Sequence, residues 1–138
     1  MKTATFICTL CVVALFAINA ECKHIAPDVK NIWKNLTDPY QNVCLGHSPI
    51  NSVHSEVMIK NAYVGNSKSF GCYLKCVFEK IDVLKPDGEF DVHAILDKLP
   101  YMTENITQKC IDEGKGETDG CLKSLIVGNC AVKAYGVD

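Results

Sequence analysis

The chain of 138 residues contains no arginine, and its 14 basic residues are lysines scattered along the sequence. With 16 acidic residues, the formal net charge is −2. Recognition of phosphate groups in nucleic acids depends on clustered arginine and lysine, and anionic membrane surfaces attract such clusters as well. The sequence therefore predicts no nucleic-acid partner and no docking to an anionic membrane.

Long apolar runs are absent after the first 20 residues. Lys2 precedes an almost unbroken apolar run over 4–18, and Ala20 offers a small residue at a cleavage point. The run is shorter than the roughly 20 apolar residues that a membrane span needs. We therefore expect residues 1–20 to be a cleaved signal peptide, which removes Cys8 and Cys11. Residues 21–138 would then form one secreted, extracellular domain, with no membrane insertion.

Catalytic and metal-binding motifs are also missing. The chain has no G-x-S-x-G or H-E-x-x-H sequence. Structural zinc favours two closely spaced cysteine pairs, or one such pair with a histidine pair. The predicted mature chain has a single C-x3-C spacing, and its histidines form no ligand pair (His24, His47, His54 and His93). We therefore expect no enzymatic activity, no metal site and no cofactor.

Helix caps and apolar periodicity predict six short helices and little strand. Ser48 followed by Pro49 is typical of a helix start, because serine caps and proline fits the first turn. The sequence Lys85-Pro86-Asp87-Gly88 predicts a turn. The predicted helices cover 27–38, 48 through at least 58, 67–83, 90–99, 103–113 and 118–133. The predicted fold class is all-α.

Six cysteines dominate the mature sequence, with gaps of 27, 3, 33, 10 and 8 residues: Cys44, Cys72, Cys76, Cys110, Cys121 and Cys130. In a secreted chain such cysteines form disulfides. Cys72 and Cys76 lie four apart on one predicted helix, where their β-carbons stay about 5–6 Å apart, too far for a bond. Cys121 and Cys130 lie on opposite sides of another helix, about 13.5 Å apart along its axis. Of 15 arrangements on paper, these two exclusions leave ten open.

The cysteine pattern resembles that of insect odorant-binding proteins of the pheromone-binding and general-odorant-binding family. The most specific elements are the three-residue gap from Cys72 to Cys76 and the eight-residue gap from Cys121 to Cys130. The resemblance implies six short helices around an apolar cavity, which carries a small hydrophobic odorant or pheromone-like ligand through extracellular fluid. It also implies the disulfides Cys44–Cys76, Cys72–Cys121 and Cys110–Cys130.

Two departures from the family pattern stand out. The gap from Cys76 to Cys110 is shorter than the family usually shows, which predicts a trimmed fourth-helix region and a smaller or reshaped cavity. Cys22 is an additional, odd cysteine. An odd cysteine in a secreted protein suggests an intermolecular bridge or a capped thiol, and we hypothesise a homodimer linked through Cys22.

Apolar stripes on the predicted helices are the candidates for a cavity wall. By composition alone such stripes pack a core more often than they line a pocket, but the resemblance favours a cavity for some of them. The candidates are Phe70, Leu74, Val77, Phe78, Phe90, Ile95, Leu96, Leu122, Leu125, Ile126 and Tyr135. Tyr73, Tyr101 and Tyr135 are candidate selectors of the ligand head group.

The tail 131–138 has two interpretations, a frayed end or a plug over the cavity made with Tyr135 and Val137. Acidification would loosen such a plug by protonating Asp138 or charging a histidine. The sequences Asn35-Leu36-Thr37 and Asn105-Ile106-Thr107 are glycosylation acceptors, but both lie in predicted helices and are interpreted as chance.

A second functional class uses the same scaffold. A secreted gland or signalling protein with a filled core would act by protein–protein interaction, and dimerisation through Cys22 would favour it. Detectable binding of an apolar ligand distinguishes the carrier from this alternative.

Overall fold

A computed structural model describes residues 23–48, 50, 56–58, 60 and 64–137. Five helices have bounds within these residues: α1 Pro27–Gly46, α2 Lys68–Lys80, α3 Val92–Lys98, α4 Glu104–Gly114 and α5 Gly120–Tyr135. Residues 56–58 and 60 are helical too and belong to a sixth helix. This all-α architecture with three disulfides confirms the predicted fold class. The predicted signal peptide, Cys22, His54, Asp138 and most of the predicted second helix lie outside the described residues.

The first helix continues well past its predicted end at residue 38, so that boundary was wrong. Pro39 lies inside α1 and cannot donate a backbone hydrogen bond to the carbonyl of Asn35. The buried Thr37 hydroxyl donates to the carbonyl of Trp33 at 2.9 Å. Near the end of the helix, Cys44 is fully buried and bonded to Cys76. Burial and the disulfide thus hold the helical path that the proline disfavours.

Four helices begin at a side-chain cap, which satisfies backbone N–H groups that have no partner inside the helix. The caps are Ser67 for α2, Asp91 for α3, Thr103 for α4 and Asp119 for α5. Asp119 Oδ1 accepts from the backbone N–H groups of Cys121 at 3.0 Å and Leu122 at 3.1 Å. The predicted starts of these four helices therefore agree with the structure to within about two residues.

Three disulfides join neighbouring helices. Cys44–Cys76 links α1 to α2, Cys72–Cys121 links α2 to α5, and Cys110–Cys130 links α4 to α5. These are the pairs that the resemblance implies. The bonds span 32, 49 and 20 residues of sequence, and loops of this size contribute about 2–4 kcal/mol each to stability.

Two glycines allow α2 and α5 to pack closely. A Cβ on Gly71 would lie 2.2 Å from the carbonyl oxygen of Cys121, and a Cβ on Gly128 would lie 2.8 Å from Leu74 Cδ1. Both distances are too short for a real side chain. The α2–α5 pair therefore forms the centre of the fold, with Cys72–Cys121 at the Gly71 end.

The turn after α2 is tied to α5 by a buried lysine. Lys123 Nζ donates to the carbonyl of Gly88 at 2.9 Å and to Glu89 Oε1 at 2.8 Å. Gly88 has a φ of 84°, as the predicted turn requires. The turn returns the chain so that Leu84 and Phe90 pair in an isolated antiparallel bridge.

A short ribbon brings the two ends of the described chain together. Strand β1 (His24–Ile25) pairs antiparallel with strand β2 (Gly136–Val137), with His24 opposite Val137 and Ile25 opposite Gly136. The ribbon directly precedes α1 and directly follows α5.

Candidate ligand cavity

A cavity of about 80 Å³ lies between α1, α2, α3 and α5. Residues from β1, from the sixth helix (Met58) and from the segments between α2 and α3 and between α3 and α4 complete its wall. The surface that faces the cavity is almost wholly carbon. Such a wall can exclude water and hold an apolar molecule, but it offers few partners for polar groups. The volume is small compared with the roughly 300–1,000 Å³ of typical ligand pockets.

Five of the predicted cavity residues line the wall. They are Leu74, Phe78, Phe90, Ile95 and Tyr135. Leu74 and Phe78 are four residues apart on α2 and therefore share a helix face.

The other six predicted residues do not line the cavity: Phe70, Val77, Leu96, Leu122, Leu125 and Ile126. Phe70 and Val77 are buried in the core on the same broad face of α2 but do not border the cavity. On α5 the cavity face carries Val127, Gly128 and Ala131 rather than the predicted stripe. Because α5 has buried residues nearly all round, its sequence has no polar face to show which side meets the cavity.

Several wall residues were not among the candidates: Ile25, Val29, Trp33, Met58, Leu99 and Met102. Val29 and Trp33 lie four apart on the apolar face of α1, so the periodicity of that helix contained the signal. Ile25 had no comparable signal, because it reaches the cavity through the terminal ribbon.

Aromatic rings meet edge to face at two places in the wall. Phe78 contacts Trp33 at 6.1 Å between ring centroids and Phe90 at 5.6 Å. Tyr101 contacts Tyr135 at 5.2 Å with an interplanar angle of 77°. Edge-to-face contacts of this kind add roughly 0.5–1.5 kcal/mol per pair and fix ring orientation.

Two of the three predicted head-group selectors line the cavity. Tyr101 and Tyr135 belong to the wall, whereas Tyr73 is buried in the core and packs on Phe70. Burial raises the pKa of the Tyr101 hydroxyl, and the neighbouring Tyr135 raises it further. The Tyr135 hydroxyl oxygen accepts a hydrogen bond from the backbone N–H of Thr103 at 3.2 Å.

The C-terminal tail contributes to the wall before it reaches the ribbon. Ala131, Val132 and Tyr135 face the cavity. Val137 does not line it and is 45% exposed. Of the two residues of the predicted plug, Tyr135 therefore meets the cavity and Val137 does not; Ile25 of β1, which was not part of that prediction, lines the cavity as well.

Other candidate sites lie apart from the cavity. Asn35 and Asn105 are exposed on α1 and α4, but Thr37 and Thr107 of their acceptor sequences are buried. Within residues 23–137, where described, no group of three or more metal-ligating side chains is assembled. No helix among those residues is both long enough and apolar enough to cross a membrane.

Comparison with known proteins gives one match. The family model described as the PBP/GOBP family matches residues 28–134. No curated protein and no solved structure matches the chain. The match covers all five helices but for the first residue of α1 and the last of α5, and it includes the three disulfides. The chain therefore belongs to the PBP/GOBP family, the insect odorant- and pheromone-binding proteins.

Proposed function

We propose that this protein is a secreted carrier that binds one small hydrophobic molecule, odorant or pheromone-like, in the cavity between its helices. The observation that carries the proposal is the wall itself, an almost wholly carbon surface between helices, of which α1, α2 and α5 are joined to one another by disulfides. Membership in a family of small-ligand carriers supports the same function. In this proposal residues 1–20 direct secretion.

Binding would be driven by removing apolar ligand surface from water. That transfer contributes about 25 cal/mol per Å², so a ligand that buries about 250 Å² gains about 6 kcal/mol before the costs of association. No charge or metal is needed for this step. The protein's task is to keep the cavity dry and to hold its wall in shape.

Ligand size limits how the cavity can work. A cavity of about 150 Å³ accommodates benzene, whereas this one measures about 80 Å³. Ligands of odorant size therefore require the wall to move. The terminal ribbon is the candidate for this movement, because each strand has two residues and a two-stranded pair of this length is marginal by itself.

A displacement assay tests the carrier function. Folded, disulfide-intact protein is titrated with an environment-sensitive apolar fluorophore, N-phenyl-1-naphthylamine, which is then competed with alcohols, esters and fatty acids. Saturable binding in the micromolar range that several of these compounds reverse is the expected result.

A matched pair of variants locates the site. Ala131→Leu puts a larger side chain into the cavity wall, whereas Ala134→Leu makes the same change at an exposed position near the end of α5 that does not line the cavity. We expect Ala131→Leu to weaken binding at least tenfold and Ala134→Leu to leave it unchanged. Equal effects of the two variants would place the bound molecule elsewhere.

The small cavity volume favours one alternative, a secreted protein on the same scaffold with a nearly filled core that acts by protein–protein interaction. In that case the folded protein binds no apolar fluorophore between pH 5 and 8. A homodimer linked through Cys22 belongs to this alternative. It would run as a dimer in a non-reducing gel, and Cys22→Ser would abolish the dimer band.

A further inference from the structure

We propose that the Tyr135 hydroxyl is a donor-only polar subsite, which selects ligands that carry a hydrogen-bond acceptor and no donor, such as ketones, aldehydes and esters, over alcohols. This inference rests on the proposed carrier function and names the ligand class of the same cavity.

Tyr135 is held in place at both ends of its side chain. It is the last residue of α5 and its side chain forms part of the cavity wall. Its ring packs edge-on against Tyr101, with 5.2 Å between centroids. Its hydroxyl oxygen lies 3.2 Å from the backbone nitrogen of Thr103. The hydroxyl therefore has little freedom to reorient when a ligand arrives.

The contact with Thr103 determines which role the hydroxyl can play. Thr103 caps α4, and its own side chain accepts from the backbone N–H of Ile106 at 3.3 Å. In a capping box, Glu or Gln at the third helical position reaches back to the N–H of the cap residue. Here that position is the apolar Ile106, and Tyr135 supplies the missing acceptor.

The Tyr135 oxygen is thus occupied as an acceptor, and its proton remains to be donated. A hydroxyl that already accepts a hydrogen bond is polarised by it and becomes a better donor. A donor at this point pairs with a carbonyl or ester oxygen. This hydrogen bond leaves a ketone or aldehyde with no unsatisfied polar group.

An alcohol of the same length fits less well. Its oxygen can accept from Tyr135, but its own proton then needs an acceptor, and apart from the other wall tyrosine, Tyr101, the surface that faces the cavity is almost wholly carbon. Leaving a buried donor unpaired removes the gain from the new bond. A carboxylate pays more, because burying a charge in such surroundings is costly unless it is paired. Lys30, the charged residue in the wall, is the group that an acid would pair with.

The test uses a matched eight-carbon series against wild-type protein: octan-2-one, octan-1-ol, octanoic acid and octane, each displacing N-phenyl-1-naphthylamine. We expect octan-2-one to bind more tightly than octan-1-ol and octane by about 2- to 12-fold, the range that one net hydrogen bond gives. Tight binding of octan-1-ol or of octanoic acid, equal to or above that of octan-2-one, would overturn the inference. This ranking needs no variant.

Variants assign the preference to a residue. Tyr135→Phe keeps the ring and deletes the hydroxyl, so the ratio of octan-2-one to octane affinity should fall to about one. Tyr40→Phe deletes a hydroxyl on α1 outside the cavity wall and should leave the ratio as in wild type. If Tyr101→Phe loses the preference for octan-2-one and Tyr135→Phe keeps it, the selecting hydroxyl is that of Tyr101, and the inference about Tyr135 is wrong. Far-ultraviolet circular dichroism verifies the fold of each variant.

Failure of the carrier function and failure of the Tyr135 subsite give different results in this series. If no member of the series displaces the fluorophore, octane included, the carrier function fails and the inference fails with it. If octane and octan-1-ol bind as well as octan-2-one, the carrier function stands and the inference about Tyr135 is wrong.

Discussion

Gly128 lies against Leu74 across the α2–α5 contact, so close that a Cβ on the glycine would come within 2.8 Å of Leu74 Cδ1. Both residues line the cavity. The neighbour of Gly71 is a backbone atom and not a side-chain methyl group, since a Cβ there would lie 2.2 Å from the carbonyl oxygen of Cys121. A leucine methyl can rotate away, whereas a backbone carbonyl in a helix cannot.

Alanine at these two positions should therefore have different effects. Gly71→Ala should lower the free energy of unfolding by about 2 kcal/mol, because overpacking costs about 1–3 kcal/mol or more and alanine regains only about 1 kcal/mol of helix propensity. Denaturant titration without reductant measures the change. Gly116→Ala, where a Cβ meets nothing within 4 Å, is the control. A stability of Gly71→Ala equal to that of wild type would show that α2 and α5 are not this close.

Gly128→Ala should act on the cavity more than on stability. The added methyl displaces Leu74 Cδ1, and the space available to the displaced methyl is the cavity. We expect fluorophore affinity to fall severalfold while the denaturation midpoint changes little. A large loss of stability with unchanged affinity would contradict this assignment.

Lys123 should matter for stability although it lies outside the cavity wall. Replacing it with methionine keeps the apolar stem and removes the donor to the Gly88 carbonyl and to Glu89. We expect a loss of about 1–3 kcal/mol, the cost of removing one partner of a buried hydrogen bond. Lys133→Met, on the exposed side of the same helix, should have almost no effect. Equal midpoints for the two variants in urea would exclude this role for Lys123.

Acid should weaken the start of α5. The hydrogen bond from Lys68, followed by that from the Leu122 N–H, lowers the pKa of Asp119 below its ordinary value. A carboxyl whose pKa is lower in the folded than in the unfolded chain stabilises the fold above the unfolded pKa of about 3.9 and loses that effect as the pH falls through the folded value. Asp119→Asn keeps a capping side chain and removes the charge. Its melting temperature should therefore lie below that of wild type at pH 6, and the difference should shrink as the pH falls below the unfolded pKa of about 3.9 and through the folded pKa.

The control for that experiment is Asp97→Asn, which removes a negative charge from an exposed position on α3. The difference in melting temperature between Asp97→Asn and wild type should vary less with pH than the difference between Asp119→Asn and wild type. A constant difference for Asp119→Asn across the whole range would mean that the charge on Asp119 does not contribute to the cap.

The terminal ribbon should control ligand exchange. Removing residues 136–138 deletes β2, and with it the pairing that holds Ile25 in the cavity wall. We expect faster dissociation of a bound fluorophore by severalfold in stopped-flow measurements, with helicity unchanged. Dissociation at the wild-type rate would place the entry route in another part of the wall.

The sequence predicted the fold class and the helix starts, because caps such as Ser67 and Thr103 are local signals that can be recognised from the residue type alone. It could not predict the length of α1, since the proline at position 39 argues locally for an end while Cys44 holds the helix through a distant bond to Cys76. The terminal ribbon could not be predicted from the sequence for a related reason. Two-residue strands have no periodicity, and their pairing depends on where both ends of the fold come to lie.

The cavity was predictable in part. The periodicity of α2 predicted an apolar face that contains Leu74 and Phe78, but it selected Phe70 and Val77 as well, which are buried in the core and do not border the cavity. On α5 the predicted stripe was Leu122, Leu125 and Ile126, but the wall uses Val127, Gly128, Ala131 and Val132. None of residues 120–132 is exposed, so the helix has no polar face to contrast with the side that meets the cavity. Periodicity identifies a buried face only where a polar face exists to contrast with it.

A methyl-resolved NMR titration tests the central claim, that an apolar molecule binds inside this cavity. Octan-2-one is added to disulfide-intact protein with labelled leucine and valine methyl groups. We expect saturable shifts at Leu74, Val127 and Val132, which line the cavity, and much smaller shifts at Leu122 and Leu125, which do not. Shifts confined to methyl groups outside the wall, or no saturable shift at any methyl group, would contradict it.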